Sequence, residues 1–245
     1  MELNNTRALS SNAINTKVLN ANAIKVIAII AMIVDHAAIW LVPAGTTMDT
    51  IIHTFGRLAA PIMCYLIAEG FNYTSNLQNY IKRLFIFALI SHFPFVLYLG
   101  LEWWQATSVI WSLLMGLVAL AISQKTDLHL ALKAALIGLC CVLAWTADWN
   151  YIGVLWVLFF GIFRGNFKMQ MLSYVTIGTV FYIIPGIVSM GFDSIFRFGI
   201  FLVIPLLALY NGERGKKSNL IKWTFYVFYP AHLFILYIFR YVIFG

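Results

Sequence analysis

Asp35 and His36 stand side by side in KVIAIIAMIVDHAAIW, residues 25–40, a run that is otherwise apolar. Histidine titrates near neutrality and is the usual group for taking a proton from an attacking amine or hydroxyl. A carboxylate can hold its tautomer or balance the charge that develops. An ionisable side chain at the centre of a membrane-spanning helix costs about 2.5–3.5 kcal/mol on insertion scales, so it faces protein or water and commonly has a role. Adjacent residues on a helix point about 100° apart, so Asp35 and His36 cannot share one contact. Arg57 is therefore as good a candidate partner for Asp35 as His36 is.

The other polar residues within apolar runs extend this pattern. His53 and Arg57 form an i, i+4 pair on one helical face. His92 lies two residues before Pro94, and Tyr229, Pro230 and His232 cluster near the C-terminus. Each prolyl residue, Pro61 included, frees a carbonyl one turn earlier, which in lipid needs a neighbour or water; the three together point to a shared hydrated cavity. A single histidine in a span serves equally as an interhelical hydrogen-bonding group. Glu69, near a helix end, is placed to pair with Lys82 or Arg83. No H-x-x-x-H or H-E-x-x-H occurs, so no metal is expected. No G-x-S-x-G motif supports a serine hydrolase.

The elements that must position these groups follow from composition. The chain has 245 residues, 62% hydrophobic and 10% charged, with mean hydropathy +0.87. Soluble domains carry about 25% charged residues, so the chain reads as all-α, a polytopic transmembrane helical bundle embedded in a lipid bilayer. Apolar stretches fall at 24–42, 50–71, 81–99, 108–122, 131–145, 151–163, 171–188, 195–210 and 221–244, which predicts about nine spans. Residues 1–22, rich in Asn, Ser and Thr, read as a polar cytoplasmic tail and 23–245 as one transmembrane domain. The tail has the features of neither a signal nor a transit peptide.

Charge sets the expected orientation. Arg7, Lys17 and Lys25, then Lys82 and Arg83, Lys125 and Lys133, Arg164 and Lys168, and finally Arg214, Lys216, Lys217 and Lys222 fall at alternate joins. The intervening joins carry Asp49, Glu102, Asp148 and Asp193 and no basic residue. Positive loops stay in the cytoplasm, so the N-terminus is expected there. The net charge of +7 is spread over loops and never interleaves with aromatics, so no nucleic acid partner is expected. Cys64, Cys140 and Cys141 lie in apolar stretches without metal-ligand spacing and read as structural thiols.

The strings IKVIAIIAMIVDHAAIWLVP, FGRLAAPIMCYLIAEGFNYTSNLQNYIKRLFIFALISHFPF, WSLLMGLVAL and FYPAHLFILYIFRY resemble the TraX family of bacterial membrane proteins. The resemblance is densest over 25–95; from 121 to 210 it rests on hydropathy. It implies a multi-pass protein of the bacterial inner membrane and an acyltransferase activity, as in the N-terminal acetylation of pilin during conjugation. In the wider set of transmembrane acyltransferases a basic residue and a histidine eleven positions later mark the active site. Lys25 and His36 have that spacing here, with Lys in place of the usual Arg.

Eleven residues are close to three helical turns, which puts the pair on one face about 16 Å apart. The resemblance thus implies cytoplasmic acetyl-CoA with its phosphates near Lys25, Lys82 and Arg83, and His36 as general base. Asp35 or Arg57 would stabilise charge, and His53, His92, Tyr229 and His232 would line the side where a protein, peptide or glycan acceptor approaches. A transporter or a non-enzymatic assembly factor is the competing expectation.

Overall fold

The computed structural model describes residues 17–216 and 218–244. Most of the expected N-terminal tail, Arg7 included, lies outside these residues, as does Lys217. The described end of the tail is tied down. Leu19 exchanges backbone hydrogen bonds with Leu209 and Asn211, and the Asn20 side chain caps the first helix by accepting from the Ala23 amide.

Among the described residues all regular structure is helical, apart from isolated bridges at Leu19–Tyr210 and Thr107–Ala147. The helices are α1 (Ala21–Leu41), α2 (Thr47–Gly56), α3 (Ala59–Tyr73), α4 (Leu77–Leu99), α5 (Val109–Ser123), α6 (Leu130–Leu143), α7 (Asn150–Ile162), α8 (Phe167–Gly178), α9 (Ile184–Met190), α10 (Val203–Ala208) and α11 (Asn219–Ile238). Five stretches, Ala21–Leu41, Thr47–Tyr73, Leu77–Leu99, Phe167–Ala208 and Tyr226–Ile243, are long and apolar enough to cross a membrane, and α5, α6 and α7 are shorter apolar helices. The chain is a multi-pass helical membrane protein.

Helix α7 shows why a short apolar segment belongs here. Its 13 residues rise about 20 Å. It packs against α3, α5 and α8, with Val154, Trp156, Val157 and Phe160 almost wholly buried. Two glycines bring α5 and α7 together. A Cβ at Gly116 would lie 2.7 Å from Val157 and one at Gly161 2.4 Å from Leu120. Close approach at small residues is how helices associate where lipid removes the hydrophobic drive between them.

The second apolar stretch is broken at Arg57–Leu58, between α2 and α3. Pro61 lacks an amide hydrogen and its ring crowds the carbonyl four residues back, that of Arg57, so the break falls there while Pro61 sits in the first turn of α3. Pro94 and Pro230, by contrast, lie inside α4 and α11, which run through them. The sequence placed three broken helices around a cavity; among the described residues one of the three prolines accompanies a break.

From Phe167 to Ala208 the path is helical throughout but changes character, through a π-helical turn (Thr179–Ile183) and a 3-10 segment (Gly191–Leu202). It doubles back near Gly191, whose φ is +58°. The Tyr174 hydroxyl donates to the Ile200 carbonyl and Arg197 to that of Tyr182. The returning 3-10 segment packs on α2, where a Cβ on Gly199 would meet the Thr54 carbonyl at 2.0 Å.

Candidate active site

Asp35 and His36 face different neighbours, as their angular separation on α1 requires. Asp35 points to α2: Arg57 Nη2 donates to its two oxygens at 2.9 and 2.8 Å, and His53 Nδ1 lies 2.6 Å from Oδ1. His53 Nε2 is 3.1 Å from Asp49 Oδ1. A histidine with a carboxylate on each ring nitrogen donates from both, as imidazolium. Asp49, His53, Asp35 and Arg57 thus form a chain of alternating charge with no net excess, the condition under which buried ions are tolerated.

The Arg57 guanidinium is held on every side. Its Nε donates to the His53 carbonyl at 3.2 Å and its Nη1 to the Tyr182 hydroxyl at 3.1 Å. The Trp149 and Phe196 rings lie 5.7 and 5.4 Å away. Helix α2 ends at Gly56, and its C-cap Arg57 closes it with a backbone N–H donated to the His53 and Phe55 carbonyls while the side-chain Nε turns back to His53. Gly56 itself leaves room for Asp35, because a Cβ there would sit 2.0 Å from Oδ1.

His36 turns instead toward α11. Its Nδ1 lies 2.8 Å from His232 Nε2, and His232 Nδ1 lies 3.1 Å from the Phe228 carbonyl. Tyr98 on α4 donates its hydroxyl to the His36 carbonyl, fixing the backbone from which the imidazole projects.

Two cavities meet at this cluster. The narrow one, about 140 Å³, is lined by Asp35, His36, His53, Arg57 and Asp148. The wide one, about 390 Å³, collects Lys25, Arg83, Arg214 and Lys216 together with Glu69. Met32, Met63, Val109 and Tyr229 line both, so they form the wall or neck between them.

The residues expected at the site divide accordingly. His36, Asp35, Arg57 and His53 line the narrow cavity, Lys25 and Arg83 the wide one, and Tyr229 both. Lys82 is exposed and lines neither. His92 also lines neither, its ring 5.5 Å from that of Phe93. His232 is buried and lies outside both linings, beside His36. Glu69 pairs with Arg164 at 2.9 Å, not with Lys82 or Arg83. The 95 positions between the two partners left no local signal for that pairing.

Sequence reasoning assigned no site role to Asp148, Trp149, Tyr182, Arg214 or Lys216. Asp148 was read as a topology marker, yet it opens onto the narrow cavity from the join before α7. Its side chain is open to solvent at the cavity, and the surrounding protein still raises its carboxyl to about 6, with Arg57 pulling the other way. Arg214 and Lys216 had a signal available, since their join is basic and falls on the same expected side as Lys25, Lys82 and Arg83.

Fold and cluster define a multi-pass membrane protein with an internal polar site beside a cation-lined cavity. A family model described as TraX protein matches residues 20–240, and the chain belongs to the TraX family. It is also similar to a probable fimbrial assembly protein FimC, serogroup H1, of Dichelobacter nodosus, with 29% identity over 236 residues, 89% of this chain and 94% of that protein. No solved structure matches the chain.

Proposed function

We propose that this chain is an integral membrane acyltransferase that moves an acetyl group from cytoplasmic acetyl-CoA to an acceptor on the opposite side of the membrane. The observation that carries the reading is the pair of adjoining cavities: a wide one lined by Lys25, Arg83, Arg214 and Lys216, and a narrow one holding His36 and Arg57, with Met32, Met63, Val109 and Tyr229 common to both. A donor with phosphates at one end and a thioester at the other matches that division. The phosphates stay with the basic residues while the thioester reaches the neck.

His36 then takes the proton from an acceptor amine as its nitrogen attacks the thioester carbon. The carbon–sulfur bond breaks, and the proton passes to the departing thiolate, giving the acetylated acceptor and free CoA. An α-amino group with pKa about 7.7–8.0 is mostly protonated at neutral pH, so it first gives its ammonium proton to bulk water, and His36 takes the second proton as the carbon–nitrogen bond forms. Arg57, already fixed by four hydrogen bonds, is a preorganised cation for the oxyanion that develops.

The alternation of basic and acidic joins supports nine crossings with a cytoplasmic N-terminus, counting the doubled-back 167–208 path as two. That orientation turns the wide cavity to the cytoplasm, as expected for a bacterial inner membrane protein using a cytoplasmic donor. The printed name of the Dichelobacter relative supports a pilus or fimbrial subunit as the acceptor, with its N-terminal amine as the nucleophile.

The test is transfer of labelled acetyl from acetyl-CoA in membranes carrying the wild type or His36→Ala. Loss of at least about 1,000-fold in the variant, at equal expression, is expected; full activity in it overturns the mechanism. The same relative's name also favours a non-enzymatic assembly factor. That reading predicts co-purification with a pilus subunit and indifference to His36→Ala.

A further inference from the structure

We infer that His232 is a positioning residue that fixes the tautomer of His36, leaving Nε2 as the bare nitrogen facing the narrow cavity. The functional weight of this assignment rests on the proposed role of His36 as base; the tautomer itself follows from geometry alone.

A carbonyl oxygen only accepts, so the 3.1 Å contact between His232 Nδ1 and the Phe228 carbonyl requires the hydrogen on Nδ1. In neutral His232 that leaves Nε2 with a lone pair in the ring plane. His36 Nδ1 lies 2.8 Å from it, and the ring planes differ by only 17° with centroids 5.1 Å apart. Five-membered rings reach that separation when the nitrogen–nitrogen contact runs along the line of centres. The contact is therefore an in-plane N–H···N hydrogen bond, not a face-to-face stack, and His36 supplies its hydrogen from Nδ1.

A cationic His232 would reverse the roles, but it would need an anion. Asp35, the carboxylate next to His36 in the chain, has its oxygens held by Arg57 and His53. Phe228, parallel within 1° at 4.7 Å, covers one face of His232, and only 7% of the residue's surface is exposed. His232 lies outside both cavity linings whereas His36 lines the narrow one, so the second histidine supports the first from behind. In serine hydrolases a buried carboxylate holds the tautomer of the basic histidine. Here a neutral imidazole anchored on a main-chain carbonyl does so, and Asp35 serves Arg57.

The direct test is 15N NMR of histidine-labelled wild-type protein in nanodiscs, with the His36 signals assigned by their disappearance in His36→Ala. The expected result is hydrogen on Nδ1 of both His36 and His232. An Nε2–H His36 overturns the inference whether or not the protein transfers acetyl groups. In the transfer assay His232→Leu should lower kcat about 100-fold with the KM for acetyl-CoA unchanged. His232→Gln, whose carbonyl oxygen can accept from His36 Nδ1 at the place of Nε2, should restore at least a tenth of the wild-type rate. Equal rates in the wild type and His232→Leu, or a Gln variant no better than Leu, overturn the positioning role. Absence of transfer in the wild type, with Nδ1–H on both rings, removes the acyltransferase reading and leaves the tautomer standing.

Discussion

The two cavities that share Tyr229 follow opposite electrostatic plans. The wide one gathers four basic residues, and its one carboxylate, Glu69, is committed to Arg164. The narrow one sets Asp35 and Asp148 against Arg57 and His53, and places beside them a histidine whose ring nitrogen meets another histidine. An open, cation-rich space holds a polyanion by its field and tolerates loose geometry. A small space whose Asp35, His53 and Arg57 charges pair off leaves the histidine pair beside them with little net bias. On the proposed function, the difference gives attraction of the donor to one region and the transfer step to the other.

The contrast breaks most sharply at the ion pair. Asp35→Ala leaves Arg57 buried without its carboxylate and should cost about 3–5 kcal/mol, read as a lowered unfolding midpoint in detergent. Asp35→Ala combined with Arg57→Met should recover much of that loss; an additive loss in the double variant would show that the two residues are not coupled.

Arg83→Ala or Lys216→Ala should raise the KM for the donor about fivefold, since one basic residue near a charged partner is worth about 1 kcal/mol. The kcat should stay level and the effect should shrink at high salt. A fall in kcat from either substitution would erase the division of labour between the cavities.

The smallest expected effect concerns Asp148. Its carboxyl ionises near pH 6, so above that pH the narrow cavity gains a negative charge that favours a protonated amine. The KM for an amine acceptor should fall about twofold to threefold from pH 5 to pH 7 in the wild type, an exposed-pair magnitude, and stay flat in Asp148→Asn. A parallel fall in both would assign the titration elsewhere.

Hydropathy carried most of the fold. The expected apolar stretch 151–163 became α7 at Asn150–Ile162, because a run of large apolar side chains with no charge has few alternatives to a buried helix. The break at Arg57–Leu58 was displaced from the proline that accompanies it, since a proline acts on the carbonyl four residues earlier. At the site, Asp35 with Arg57 was legible, for the two stand on consecutive apolar stretches joined by a short turn. His36 with His232 was not, because 196 positions separate them and nothing local to either says that α11 returns to α1. Asp148 was hidden differently: an acid in a join has an ordinary explanation in topology, and only the three-dimensional path shows that this join dips to the cavity.

Gly56 has no side-chain atom that could donate, accept or react, yet that lack is what lets the end of α2 lie against the Asp35 carboxylate. A saturation mutagenesis screen should therefore return position 56 as intolerant beside the charged residues, alanine included. Helix break and ion pair are tied to one another: a side chain at position 56 would displace Asp35, and with it the arginine and the histidine it holds.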